Sequence, residues 1–118
     1  MDATIQELLQ TYPEVRYAAL YQDGKLESAV KPGLSGASAG ESDKYEELIV
    51  NPTLLKLVTQ RGEIDCGGAR YLIVRYGNFF EWVQPVRGGH ISVGIEPDAD
   101  PLRVGASLAP ILDRHGLL

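Results

Sequence analysis

The 118 residues carry a formal charge of -5 and a sequence pI near 4.9, with 44% hydrophobic and 23% charged side chains. That mixture is a globular one, long enough for one core and one domain over 1–118, and neither disordered nor fibrous. The acidic balance argues against duplex nucleic acid and anionic membranes as partners, and the lone Cys66 excludes an intramolecular disulfide, so a cytoplasmic protein is expected.

Asp2 is placed to cap a first helix whose apolar residues Ile5, Leu8, Leu9 and Tyr12 recur at helical spacing and which Pro13 ends. The opening stretch MDATIQELLQ has no unbroken apolar run, so neither a leader peptide nor a membrane span is expected there. Val15 to Gln22 and Lys25 to Val30 read as strands joined at Asp23-Gly24, a pair suited to a two-residue hairpin. Strict alternation places Val15, Tyr17, Ala19 and Tyr21 on one face and Arg16, Ala18, Leu20 and Gln22 on the other.

Lys31 to Gly40 is rich in Gly, Ser and Ala and reads as a mobile loop. A helical stretch opening at Ser42 or Asp43 and running through Val50 is followed by Asn51-Pro52, which suggests a break or restart. Leu54, Leu55, Leu57 and Val58 make the second piece strongly apolar, and Gly62 is placed to end it. Three further strands follow at Ala69 to Tyr76, Phe79 to Val86 and His90 to Ile95, forming an antiparallel meander. In the last strand Ile91, Val93 and Ile95 point one way, while Ser92 and Gly94 leave room on the other side for the final helix. Asp100 caps that helix, Pro101 starts it, Leu102, Leu108 and Leu112 form its apolar stripe, and Pro110 should kink it. The expected fold is thus α/β of the α+β type: a five-stranded, mainly antiparallel sheet with helices on both faces, ordered helix-strand-strand-helix-strand-strand-strand-helix.

Three segments carry a resemblance: AALYQDGKL at 18–26, YLIVRYGNFFEWVQPV at 71–86 and HISVGIEPDADPLRVGASLAPIL at 90–112. In this order they resemble the roadblock/dynein light-chain family, whose fold is similar to that of profilin and longin domains. The resemblance implies first and last helices on one sheet face and the middle helix on the other. It also implies homodimers in which middle helices pack together and third strands join two sheets, with regulatory or scaffolding roles toward small GTPases or motor and polarity complexes. Candidate interface residues are Leu54, Leu55, Val58, Arg70, Leu72 and Arg75. The first two of these residues and Val58 belong to the apolar helix; the other three lie on a long hydrophobic edge strand, where arginine also guards against promiscuous pairing.

Chemistry-bearing patterns are few. Gly36 to Gly40 fits G-x-S-x-G around Ser38, but no hydrophobic strand precedes it and no helix is expected to start at Gly40, so a nucleophile elbow is not expected. Glu96, Asp98 and Asp100 alternate like oxygen ligands, yet the flanking Pro97 and Pro101 make them a turn feeding a helix cap. His90 and His115 stand apart at a strand start and a helix end, and Asp65 beside Cys66 disfavours its thiolate. Tyr71, Tyr76, Phe79, Phe80 and Trp82 suit core or interface packing better than base stacking. No catalytic set, cofactor or metal is expected. A protein-binding homodimer is the first reading, and a small-ligand sensor with a pocket between sheet and helix is the alternative.

Overall fold

A computed structural model describes residues 2–34 and 36–118. Helix α1 (Ala3–Thr11) is followed by strands β1 (Val15–Gln22) and β2 (Lys25–Val30). The middle of the chain forms α2 (Gly40–Tyr45), a π-helical turn (Glu46–Val50) and α3 (Asn51–Asp65). Strands β3 (Leu72–Arg75), β4 (Phe80–Val86) and β5 (Gly89–Ile95) precede α4 (Pro101–Ala106) and α5 (Ala109–Arg114). The five strands form one antiparallel sheet in the order β2-β1-β5-β4-β3, so the first hairpin inserts beside the last strand and β3 is left at an edge.

Local chemistry sets the ends of several elements. The Asp2 carboxylate accepts from the Thr4 N–H at 2.7 Å, satisfying one of the donors that every helix start leaves over. Asp100 does the same for Leu102 and Arg103 at the start of α4, with Pro101 in the first position. At the first hairpin Asp23 and Gly24 both take positive φ, 52° and 80°, matching the right-handed twist of the strands they join.

The larger core lies on one face of the sheet. Ile5 and Leu8 of α1 and Val104, Leu108, Ile111 and Leu112 from the C-terminal helices pack on Ala18, Leu20, Trp82, Ile91, Val93 and Ile95. The middle helix covers the opposite face, through Glu47, Asn51 and Leu55. Every residue of β1 from Val15 to Leu20 is consequently buried.

Several expectations need correction. A register shift between Val15 and Tyr17 sends Val15 into the α1 core with Ala18 and Leu20, so strict alternation fails at the start of β1. The final helix packs on Ile91, Val93 and Ile95, whereas Ser92 faces the middle helix and hydrogen-bonds to it. Asn51-Pro52 neither caps nor breaks the middle helix, because Val50 and Asn51 keep right-handed helical dihedrals. The wide π turn absorbs the proline: the Asn51 N–H reaches back to Glu46 O, and the Thr53 hydroxyl takes the Ile49 carbonyl at 2.6 Å. Gly62 lies inside α3, not at its end; a β-carbon there would come within 2.4 Å of Gly68 O, so the residue allows a close approach of the returning chain.

The third strand is shorter than Ala69 to Tyr76, because Tyr71 lies outside the ladder and stacks on Trp82 at 4.1 Å. The C-terminal helix divides at Ser107 and Leu108, ahead of Pro110, and Leu102 is exposed rather than part of the stripe. The Lys31–Gly40 loop includes Ser35, which lies outside the described residues. At its start, the Lys31 ammonium donates to the Tyr12 carbonyl at 2.6 Å.

Candidate functional site

Two features stand out on the middle-helix side of the sheet: an apolar outer surface and a polar layer beneath it. Along the helix Ile49, Leu57 and Ile64 are 53%, 59% and 75% exposed, and Leu48 and Val58 are exposed as well. Large apolar side chains at helical spacing on an outer face are what a partner surface would cover. The helix packs on β4, and the neighbouring strand β3 ends the sheet, its outer edge carrying no strand.

The candidate interface residues divide on this geometry. Val58, Arg70 and Arg75 are exposed, while Leu54 and Leu72 are half-buried. Leu55 is only 9% exposed and belongs to the packing between helix and sheet. Arg75 stacks over Phe80 with its guanidinium carbon 4.8 Å from the ring centre, so it shields apolar surface as well as presenting charge. Trp82 is buried against the α1 side of the sheet and takes no part in this surface.

Beneath the helix, the fully buried Glu47 carboxylate gathers four side chains. Oε2 accepts from the Tyr17 hydroxyl at 2.9 Å and the Ser92 hydroxyl at 2.5 Å. Oε1 accepts from Asn51 Nδ2 at 3.0 Å and lies 2.8 Å from His90 Nε2. A carboxylate buried in this way is tolerable only when its lone pairs are occupied, and the arrangement ties three elements, β1, β5 and the middle helix, to one point. His90 is therefore not isolated: it is buried, paired with Glu47 and stacked on Tyr21 at 5.8 Å.

Glu81 is also on this face and is 2% exposed. Burial, then the nearby charges of Glu47 and Glu46, push its carboxyl well above the ordinary range, with Ser92 acting in the opposite direction. An acid whose folded pKa is raised binds a proton in the folded chain that the unfolded chain has released. Its effect is to reduce stability as pH rises above about 4.5, the ordinary value, and through its elevated folded value. Glu81→Gln is expected to flatten this fall, read as the change in melting temperature between pH 5 and pH 8. An equal slope in the variant would show that Glu81 ionises normally.

Sequence reasoning passed over Glu47 and Glu81, and it read Asn51 as a helix restart, Tyr17 as part of one strand face and Ser92 as room for a helix, without the hydrogen-bonded layer they form. Their signal is weak: Glu81 sits between Phe80 and Trp82, and Ser92 between Ile91 and Val93, as polar positions on otherwise apolar strands. Ser38, by contrast, is exposed, and its hydroxyl donates to Asp43 at 2.5 Å. A helix does begin at Gly40, contrary to expectation, but no strand leads into Gly36. Asp100 of the acidic trio is the cap of α4, and no group of three or more His, Cys, Asp or Glu side chains is arranged to hold a metal among the described residues. No helix among them is long and apolar enough to cross a membrane.

No protein-family model and no curated protein sequence matches the chain. Among solved structures, the crystal structure of a Roadblock/LC7 domain from Streptomyces avermitilis is similar, with a TM-score of 0.72 at 19% identity over 97% of this chain and 92% of that one. The chain therefore has a roadblock-like fold.

Proposed function

We propose that this chain is a non-enzymatic regulatory or scaffolding protein that acts as a two-fold homodimer, with a small GTPase or a motor or polarity complex as its partner. The observation that carries this reading is the row of exposed apolar residues on the middle helix, Ile49, Leu57, Val58 and Ile64, together with the unpaired edge of β3. A seam there would use residues that do not support the fold of one copy, and a two-fold contact would set this same patch against itself. The roadblock-like fold adds support by analogy, and Arg70 and Arg75 on or beside β3 are the proposed contacts at the rim.

The test places charge where the monomer tolerates it. Leu57→Glu and Ile49→Glu are expected to convert dimers to monomers in light scattering while far-ultraviolet circular dichroism stays unchanged. Leu55→Glu is unsuitable because it would bury a charge within a single copy. Wild-type protein that remains monomeric at high concentration overturns the dimer. Partner choice is tested separately, by measuring GTPase binding and hydrolysis rates with and without the protein.

A further inference from the structure

A cavity of about 300 Å³ opens between the sheet and the start of the middle helix, at the end of the polar layer farthest from His90. That is the lower end of the range for small-molecule sites. Tyr17, Val30, Tyr45, Val50, Tyr76 and Phe79 give it mostly apolar and aromatic walls. Its polar groups are unevenly satisfied. Asp43, at the α2 side, already accepts from Ser38. Glu46 accepts from the Tyr76 hydroxyl through Oε1 at 2.6 Å, but its Oε2 is buried and has no hydrogen-bond partner among the described residues. Glu81 Oε1 is likewise buried and without a hydrogen-bond partner among them. Both carboxyl groups line the same cavity.

Leaving a carboxyl oxygen buried and unpaired costs more than almost any other polar defect, so two on one small cavity point to a missing donor. The required donor must carry several N–H or O–H hydrogens, and positive charge would suit walls holding three carboxyl groups against one guanidinium, that of Arg16. Arg16 lies over the Phe79 ring at 5.1 Å, donates to the Asn78 carbonyl at 3.4 Å and lies 3.6 Å from Glu96, so its guanidinium is already engaged by groups other than Glu46 and Glu81. Tyr45, Tyr76 and Phe79 in the lining suit an apolar or aromatic ligand body.

We propose that this cavity binds a small primary ammonium with a hydrophobic body, its N–H groups supplying the donors that Glu81 and Glu46 lack and its body packing on the aromatic walls. The site lies within one chain, so it is independent of whether the protein dimerises. Burial disfavours the ionised form of Glu81, and an adjacent cation would restore it. Binding should therefore release a proton.

The probe is 2-phenylethylamine, compared with 2-phenylethanol and 3-phenylpropanoate by isothermal titration calorimetry and thermal denaturation. The amine is expected to raise the melting temperature and to bind about tenfold or more tightly than either isostere, as charge-assisted hydrogen bonds allow. Its apparent binding heat should vary with the ionisation heat of the buffer. Glu81→Gln and the less buried Glu46→Gln should each weaken amine binding about tenfold while leaving the circular dichroism of the unliganded protein unchanged. The proposal is overturned if the amine fails to bind at millimolar concentration, if the alcohol or the carboxylate binds as well, or if Glu46→Gln binds the amine like wild type.

Discussion

Replacing Glu47 with alanine is expected to lower the unfolding free energy by about 3–5 kcal/mol, because several buried polar groups are left unsatisfied at about 1–3 kcal/mol each. The cost exceeds that of a single hydrogen bond because the Tyr17, Ser92 and Asn51 donors and the His90 ring all lose their partner together. None of Tyr17, Asn51, His90 and Ser92 can turn to solvent, as each is buried between the middle helix and the sheet. Chemical denaturation should show a lower midpoint with a near-normal slope, and far-ultraviolet circular dichroism should remain native below the transition. Glu47→Gln keeps the volume and one acceptor oxygen, so its loss should be about half as large. A decrease below about 1 kcal/mol for Glu47→Ala would mean that the layer contributes little to holding helix and sheet together.

The second large effect is expected on the opposite face of the sheet. Gly105 of α4 is buried, and a β-carbon there would lie 2.2 Å from Cε3 and Cζ3 of Trp82. The indole is already stacked on Tyr71, and its Nε1–H donates to Gln84 at 3.2 Å, so it cannot retreat without losing those contacts. Gly105→Ala should therefore destabilise by about 2–3 kcal/mol through overpacking, although alanine is the better helix former by about 1 kcal/mol. Combining it with Trp82→Leu separates the two contributions. The double variant should lose less than the sum of the singles, because the smaller side chain makes room for the new methyl. Strict additivity in denaturant melts would place the cost in the helix itself and not in the contact with Trp82.

The two faces of the sheet thus have different physical characters. The α1 side is a continuous apolar core, in which Gly105 lets a helix sit directly on an aromatic ring. The middle-helix side carries buried Glu47, Asn51, Glu81, His90 and Ser92, and it is also the side with the exposed apolar helix and the cavity. A polar layer contributes less to stability than an apolar one of equal size, but each hydrogen bond fixes a direction. Here it fixes the middle helix, and with it the surface proposed as the dimer seam.

What the sequence determined by itself was what depends on neighbours along the chain. Asp2 and Asp100 cap helices because their carboxylates reach N–H groups two or three residues on, and Asp23-Gly24 turns because both residues tolerate positive φ. The alternation of Ile91, Val93 and Ile95 likewise separated the two faces of the last strand, but it put the final helix on the wrong one, since that helix packs on these three residues and not on the side of Ser92. Tertiary structure decided everything that depends on distant partners. Glu47 meets Ser92 across 45 positions and His90 across 43, and neither separation leaves a periodic trace. Gly62 and Gly105 look like a helix stop and a weak helix residue until Gly68 and Trp82 are brought against them. Pro52 looks like a helix break, yet the π turn before it lets the helix continue, because packing Glu47, Asn51 and Leu55 on the sheet outweighs the irregular hydrogen bonding of one turn.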